Sequence, residues 1–261
     1  MRVFEDFGLG TYADRIGATM NEGLLMGGEF EIESIYRWDA QVENYFKVDT
    51  DGSLRNEGRE FISVPLFRQD LVNAFNFLHD KLTFHLTWSP FSERTSIHIH
   101  VNCLNLESEH VRQAVLLYAL FEDFFFDMTH PSRKNNIHCV PIGQTFLPVH
   151  YGSSLRTMVS RWHKYTALNI LPLKQYGTIE FRHMHGHSDV ELFNEWTALL
   201  ARLIELGKQA PITKESLSSF ASIEQWFGIL FTGTRVGTYA DFRNLRNITK
   251  NSLLDLKLIG V

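Results

Sequence analysis

The sequence predicts an α+β fold with a largely antiparallel or mixed sheet. Three observations carry that expectation. Segments with period-two alternation, the signature of strands, cluster in the first two-thirds of the chain. Segments with helical spacing lie among and after them. The two kinds do not alternate strictly, as a parallel βαβ sheet would require.

Taken in order, residues 1–26 carry little periodicity, and residues 23–28 form a glycine-containing entry to the first strand, Glu29-Phe30-Glu31-Ile32-Glu33. A second strand is expected at 45–48. Asp49-Thr50-Asp51-Gly52-Ser53 is a turn, because Asp and Gly supply the side-chain acceptor and the free backbone a turn needs. A third strand, 59–64, ends at Pro65. Asp70 caps a helix over Leu71, Ala74, Phe75, Leu78 and Leu82. Residues 84–88 read as a strand, followed by Ile97-His98-Ile99-His100-Val101-Asn102. Ser108 opens a second helix that is apolar almost all round and therefore expected to be well buried. Residues 129–153, with three prolines, read as a long ordered loop of the kind that carries function. A short helix at 155–163, strands at 167–171 and 178–182, and a capping box Ser188-Asp189-Val190-Glu191 leading a helix to about 206 follow. Two or three shorter helices complete the chain at 213–261.

No Pro-, Gly- or Ser-rich linker divides the chain, so one domain over 1–261 is expected, with a helical C-terminal region at 208–261. A net charge of −5 supplies no electrostatic case for general nucleic-acid or membrane-surface binding. Cys103 and Cys139 are not in a CxxC pair and fit reduced, buried thiols. The longest apolar run, 114–126, is interrupted by Glu122 and Asp123 and is too short for a bilayer. The N-terminal residues lack the apolar centre of a signal peptide, so a cytoplasmic protein is expected.

The chemistry lies in three strands that read alike. In Glu29 to Glu33, His98 to Asn102 and Thr178-Ile179-Glu180-Phe181-Arg182, large apolar residues alternate with charged or ligand-type residues. Side chains of a strand point to opposite faces in turn, so one face of each strand is apolar. The other carries Glu29, Glu31 and Glu33, then His98, His100 and Asn102, then Glu180 and Arg182. Each segment alone has an ordinary reading: a solvated acidic edge, a structural histidine, a neutralising pair. In one sheet they form an ionic floor whose carboxylates need divalent cations to hold them together. Carboxylates with imidazoles suit a hard cation such as magnesium or manganese better than zinc. Glu60 has less tidy parity. It shares a face with Ile62 and Val64, so a bulge or a strand end is needed to bring it to the floor. His183, His185 and His187 straddle the end of the last strand and are not expected to form a separate zinc site. Phosphate-loop, dinucleotide and serine-hydrolase motifs are absent from the sequence.

In order, these segments resemble the amidoligase family, within the carboxylate–amine ligase superfamily of glutamine synthetase and glutamate–cysteine ligase. The matching elements are Gly27-Gly28-Glu29-Phe30-Glu31, Asp51-Gly52-Ser53-Leu54 and Gly58-Arg59-Glu60-Phe61-Ile62-Ser63-Val64-Pro65. They continue with His98-Ile99-His100-Val101-Asn102, then Arg161, Tyr165, Asn169 and Ile170, and finally Thr178 to Arg182. The matched span is about 25–200. The lead before His98, Arg94-Thr95-Ser96-Ile97, lacks the family's glycines, and the residues after Arg182 are unusually His-rich.

The resemblance implies a curved, mainly antiparallel sheet like the glutamine synthetase catalytic domain. Its concave face would hold ATP and two or three Mg²⁺ or Mn²⁺ ions. Glu29, Glu31, Glu60, His98 and Glu180 would be the metal ligands. His100 and Arg182 would contact the ATP phosphates, with Arg161 a further nucleotide or acyl-phosphate contact and Arg182 the catalytic group. The implied reaction is ATP-dependent amide formation between a small-molecule or peptide carboxylate and an amine, through an acyl phosphate. Asp49, Asp51 and His185 are candidates for the base. A two-metal hydrolase or phosphotransferase on the same floor, and a non-catalytic nucleotide- or metal-binding protein of phage type, are the alternatives. An oligomer is compatible with the superfamily.

Overall fold

The computed structural model describes residues 1–10, 24–145, 147–152, 154–209, 211–239 and 242–260. The expectations for residues 11–23 lie outside these described residues. Among the described residues, nine strands are present: β1 Leu25–Ile32, β2 Ile35–Trp38, β3 Phe46–Asp49, β4 Arg59–Ser63, β5 Leu66–Phe67, β6 Leu82–Phe84, β7 Ser96–Asn102, β8 Leu168–Asn169 and β9 Thr178–His185. Seven of them form one sheet in the order β3-β4-β1-β7-β9-β8, with β5 also paired to β1. Each of these strand pairings is antiparallel. The mixed α/β architecture with a mainly antiparallel sheet is the one expected.

The alternation in the sequence assigns the two faces. Phe30 touches Phe46, Phe75 and Phe193, with ring centroids 5.8, 5.5 and 5.7 Å away. Phe181 packs on Tyr118, Phe125 and Trp196. The apolar face of the sheet is therefore covered by the helices Arg68–Lys81, Ser108–Asp127 and Val190–Gln209. The Ser108–Asp127 helix is apolar all round because it is sandwiched. Its far side meets the helix Phe220–Phe231 through Phe124 and Phe227, whose centroids are 4.8 Å apart. Buried aromatic area of this kind is the main source of stability in such a layer. The opposite face of the sheet is left for the charged residues.

Several local expectations shift. β2 and β6 form a separate two-stranded sheet. Leu82, counted with the helix by its spacing, instead pairs with Trp38 as the chain passes directly from helix to strand. The first long helix starts at Arg68, so Asp70 lies within its first turn rather than at the cap. There its charge still favours the N-terminal dipole. Asp189, not Ser188, caps the Val190 helix, accepting a hydrogen bond from Leu192 N at 2.9 Å. The Asp51 turn is as read: the Asp51 carboxylate accepts from Ser53 N at 2.7 Å. The loop after residue 129 contains 3₁₀ turns at Pro131–Asn135 and Ile142–Gln144. Five helices rather than two or three occupy the described residues after 213. Among the described residues, no helix is long and apolar enough to cross a membrane.

Candidate active site

Partners directly opposite in an antiparallel pair point to the same side of the sheet. The register therefore builds the floor in rows. Asp49 pairs with Glu60, and Glu60 with Glu31. Glu29 pairs with His98. Gly27 pairs with His100, His100 with Glu180, and Glu180 with Asn169. Glu29, Glu31, Glu60, His98, His100 and Glu180 thus share one face of one sheet. Glu60 reaches it by regular pairing. No bulge is needed, because Ile62, opposite Glu29, also lies on this face as an apolar wall. Glu33 is not part of the floor. It follows the end of β1, and its carboxylate accepts from Arg55 N at 2.8 Å.

The side chains interlock. His98 Nδ1 lies 3.3 Å from Glu29 Oε2 and 3.5 Å from Glu180 Oε1, and His100 Nε2 lies 3.2 Å from Glu29 Oε1. Asn169 donates to Glu180 Oε2 at 2.7 Å, and His100 Nδ1 meets Thr178 Oγ1 at 3.0 Å. Ser96 donates both its backbone N–H, at 2.8 Å, and its hydroxyl, at 2.6 Å, to Glu31 Oε2. Ser96 Oγ is also 2.9 Å from His98 Nε2. Since the hydroxyl proton goes to Glu31, His98 Nε2 must donate to Ser96. In a neutral imidazole, Nδ1 then presents a lone pair to two carboxylate oxygens. That contact is repulsive unless a cation, either a proton on Nδ1 or a metal ion, lies between them.

The floor's electrostatics agree. Burial disfavours charge on Glu29, but hydrogen bonds and attraction from His100 and His98 outweigh it and hold the carboxyl far below its ordinary range. Burial likewise opposes charge on His100, and Glu29 more than offsets it, so that imidazole is raised. Glu60 has no such partner. Burial, then repulsion from Glu29 and Glu31, pushes it up to about 7. Unbalanced carboxylates of this kind mark a place where a cation is accommodated.

Glu29, His100 and Glu180 each offer a ligand atom, all within 4.8 Å of one another. The donor chemistry, carboxylate oxygens with imidazole nitrogens, fits a hard divalent cation. The resemblance assigned His100 to phosphate contact. The geometry places it among the carboxylates, as near to Glu29 as His98 is. The hydroxyl behind His98 is the sort of outer partner that fixes a metal-binding imidazole.

Arg182 lies beside this cluster because it stands two residues on from Glu180 in β9, at the start of a bulge. Ile99 pairs with Phe181 and Ile97 with Met184, so His98 alone opposes both Arg182 and His183. Arg182 stays on the floor and His183 turns into the core by ordinary alternation, and the extra residue shifts the register so that buried Met184 meets Ile97. Arg182 pairs with Glu180, and its Nε donates to His138 O at 3.0 Å. His183 is fully buried, 2.7 Å from Tyr118 Oη. Beyond the bulge, β9 continues to His185, one residue short of Gly186. His185 Nδ1 accepts from His130 N at 3.2 Å, which leaves the ring proton on Nε2. His185 is thereby a donor rather than a base. Asp49 is partly exposed and bound to Lys47 at 2.6 Å. Arg161 is exposed at the end of the helix Leu155–Arg161.

Ser96 and Thr178 were missed as site residues. Nothing in their local spacing distinguishes them, since each acts through a partner distant in sequence.

Beside the cluster, along the strands past His100, lies a pocket of about 460 Å³ lined by Gly27, Glu29, Ile62, Pro65, His100, Asn102, Tyr176 and Thr178 among others. A Cβ on Gly27 would meet only Ser63 Oγ at 3.9 Å, so the glycine leaves this space open. Ser63 Oγ meanwhile accepts from Gly28 N at 2.9 Å, which explains the serine in the Glu60 strand.

No curated protein matches the chain. A family model described as "Putative amidoligase enzyme" matches residues 34–204, well over half of the chain. The match includes Glu60, His98, His100, Glu180 and Arg182. It begins after Glu29 and Glu31, which join the same site through the pairing of β1 with β4 and β7. The chain belongs to the amidoligase family.

Proposed function

We propose that this protein is an ATP-dependent carboxylate–amine ligase that forms an amide or isopeptide-type bond through an acyl phosphate. The observation that carries the reading is the placement of His98 Nδ1 against the oxygens of both Glu29 and Glu180, with Arg182 on the same carboxylate and an open pocket alongside. Glu29, His98, His100 and Glu180 would hold one Mg²⁺ or Mn²⁺, and Glu31 with Glu60 a second. Bound there, the ions supply charge neutralisation for phosphate oxygens and for the reacting carboxylate.

A carboxylate is too poor an electrophile to react with an amine directly. Transfer of the γ-phosphoryl group to a carboxylate oxygen releases ADP and creates an acyl phosphate. The amine nitrogen then attacks the carbonyl carbon, phosphate leaves, and the amine gives up a proton. The chain's residues bind and orient. Arg182, fixed by Glu180 and the His138 carbonyl, presents its guanidinium to the phosphoryl group in flight. The pocket past His100 accepts the nucleotide, with Ile62 and Pro65 as apolar walls. Ser96 and Asn169 hold Glu31 and Glu180 in place. The substrates are a small-molecule or peptide acid and an amine, and ATP as co-substrate implies a cytoplasmic setting.

Thermal unfolding with Mg²⁺ and ATP together tests this. Binding to the folded state adds about 2.7 kcal/mol of stability at a hundredfold excess over Kd. Absence of any shift sinks the reading. ADP release at full rate in water, without acid and amine, replaces it with a hydrolase.

A further inference from the structure

Arg133 is 3% exposed, and its guanidinium lies behind the carboxylate floor. Its guanidinium donates to the backbone instead: Nε to His183 O at 3.1 Å and Nη2 to Arg182 O at 2.6 Å. These are the carbonyls of the two bulge residues that face His98. A bulge takes its extra residue out of the regular ladder, and a buried carbonyl left unbonded is costly. Arg133 supplies both bonds from one planar fork, which fixes the direction in which the chain leaves Phe181. That direction aims the Arg182 side chain.

The same loop holds the other end of Arg182, since His138 O accepts from its Nε at 3.0 Å. The loop is in turn fastened to the helix behind the sheet. Buried Glu122 accepts from Ile142 N at 2.7 Å and from Gly143 N at 3.0 Å. Tyr118 donates to Glu122 at 2.7 Å and also meets the ring of His183, the second bulge residue. Backbone and side chain of the bulge are thus clamped from one loop and one helix, and both clamps converge on Arg182.

We infer that Arg133 is a positioning residue for the reaction, acting through Arg182, and that the 130–143 loop together with Glu122 is the frame that holds it. Arg133 does this without touching the reacting groups. The importance of Arg182 rests on the ligase reading above. Its orientation by Arg133 does not.

The test is nuclear magnetic resonance of ¹⁵N-labelled full-length protein without ligand, reading the Arg182 Nε–H signal, assigned by its loss in Arg182→Lys. In Arg133→Met, exchange of that proton with solvent should accelerate on the order of ~10-fold, the factor carried by one lost hydrogen bond. Arg202→Met is the matched control. Arg202 also donates from Nε to a backbone carbonyl, that of Leu230 at 2.7 Å, but belongs to neither clamp. It should leave the Arg182 signal unchanged at a similar loss of Tm. Where Arg133→Met does not fold, Arg133→Lys, which keeps the charge but cannot make both bonds, gives the same reading. In parallel, Mg²⁺–ATP affinity should fall in Arg133→Met and hold in Arg202→Met. An Arg182 signal unaffected by either Arg133 variant, or equally affected in Arg202→Met, overturns the inference. A wild-type protein that does not bind Mg²⁺–ATP refutes the ligase reading and leaves the exchange result to decide the positioning role.

Discussion

Glu60→Gln should make the metal-free protein more stable and the metal-loaded protein less so. Glu60 stands in register with Glu31 and Asp49 and faces Glu29 across the floor, and its carboxyl is pushed from 4.5 up to about 7 by burial and then by Glu29 and Glu31. A shift of that size carries about 3 kcal/mol at full burial. Glu60 is half-buried, and solvent screening reduces the figure to about 1–2 kcal/mol. The sign follows from linkage. Below pH 4.5 the carboxyl is protonated folded and unfolded, so there is no penalty. Between 4.5 and about 7 the unfolded carboxyl ionises first, and stability falls. Above about 7 the full penalty remains. Glutamine keeps the shape without the charge. In the presence of a chelator it should match wild type at pH 4 and exceed it at pH 8 by about 2–8 °C in Tm, at about 2–4 °C per kcal/mol for a chain of this size. With saturating Mg²⁺ the order should reverse, because ligand binding to the native state stabilises the wild type more. Thermal melts at two pH values, with chelator and with Mg²⁺, check all four corners. A variant less stable than wild type at pH 8 in chelator would refute the reasoning and make Glu60 a structural hydrogen-bond partner.

Substitutions at three further positions probe the machinery. Arg182→Ala should lower ATP-dependent amide formation by ~10²–10³ with metal affinity retained, and Arg182→Lys should restore only part. Undiminished turnover would remove Arg182 from the site. Gly27 and Gly28 are adjacent but should behave oppositely. Gly27→Leu should fold and lose nucleotide affinity by filling the pocket, whereas Gly28→Ala should cost about 1–3 kcal/mol by overpacking, since its Cβ would lie 2.4 Å from the Phe30 ring. Equal denaturation midpoints for the two would contradict the assignment of faces.

Much of the floor was legible because period-two alternation is a local property. Glu29, Glu31, His98, His100, Glu180 and Arg182 lie on strand faces whose reverse sides carry Phe30, Ile99 and Phe181, and burial of those apolar side chains leaves the charged residues only one direction. Parity failed at Glu60 for an instructive reason. Ile62 was read as marking the core face, yet it lines the site, because a pocket that takes part of a substrate out of water needs an apolar wall too.

The residue types and their spacing determined the strands, the apolar face and the identity of the ionic residues. Only the tertiary structure decided which of them meet. Register brought Asp49, Glu60 and Glu31 into one row and His100 against Glu180, and a one-residue change in pairing would have sent each to the other face. The bulge at Arg182 and His183 is invisible locally, since it depends on how β9 pairs with β7 rather than on β9 alone. Arg133, fifty residues from the carbonyl it supports, and Ser96, sixty-five from Glu31, acquire their roles from contacts made only after the chain has folded. Alternation is written in neighbouring residues, whereas register and support are long-range properties of the packed sheet.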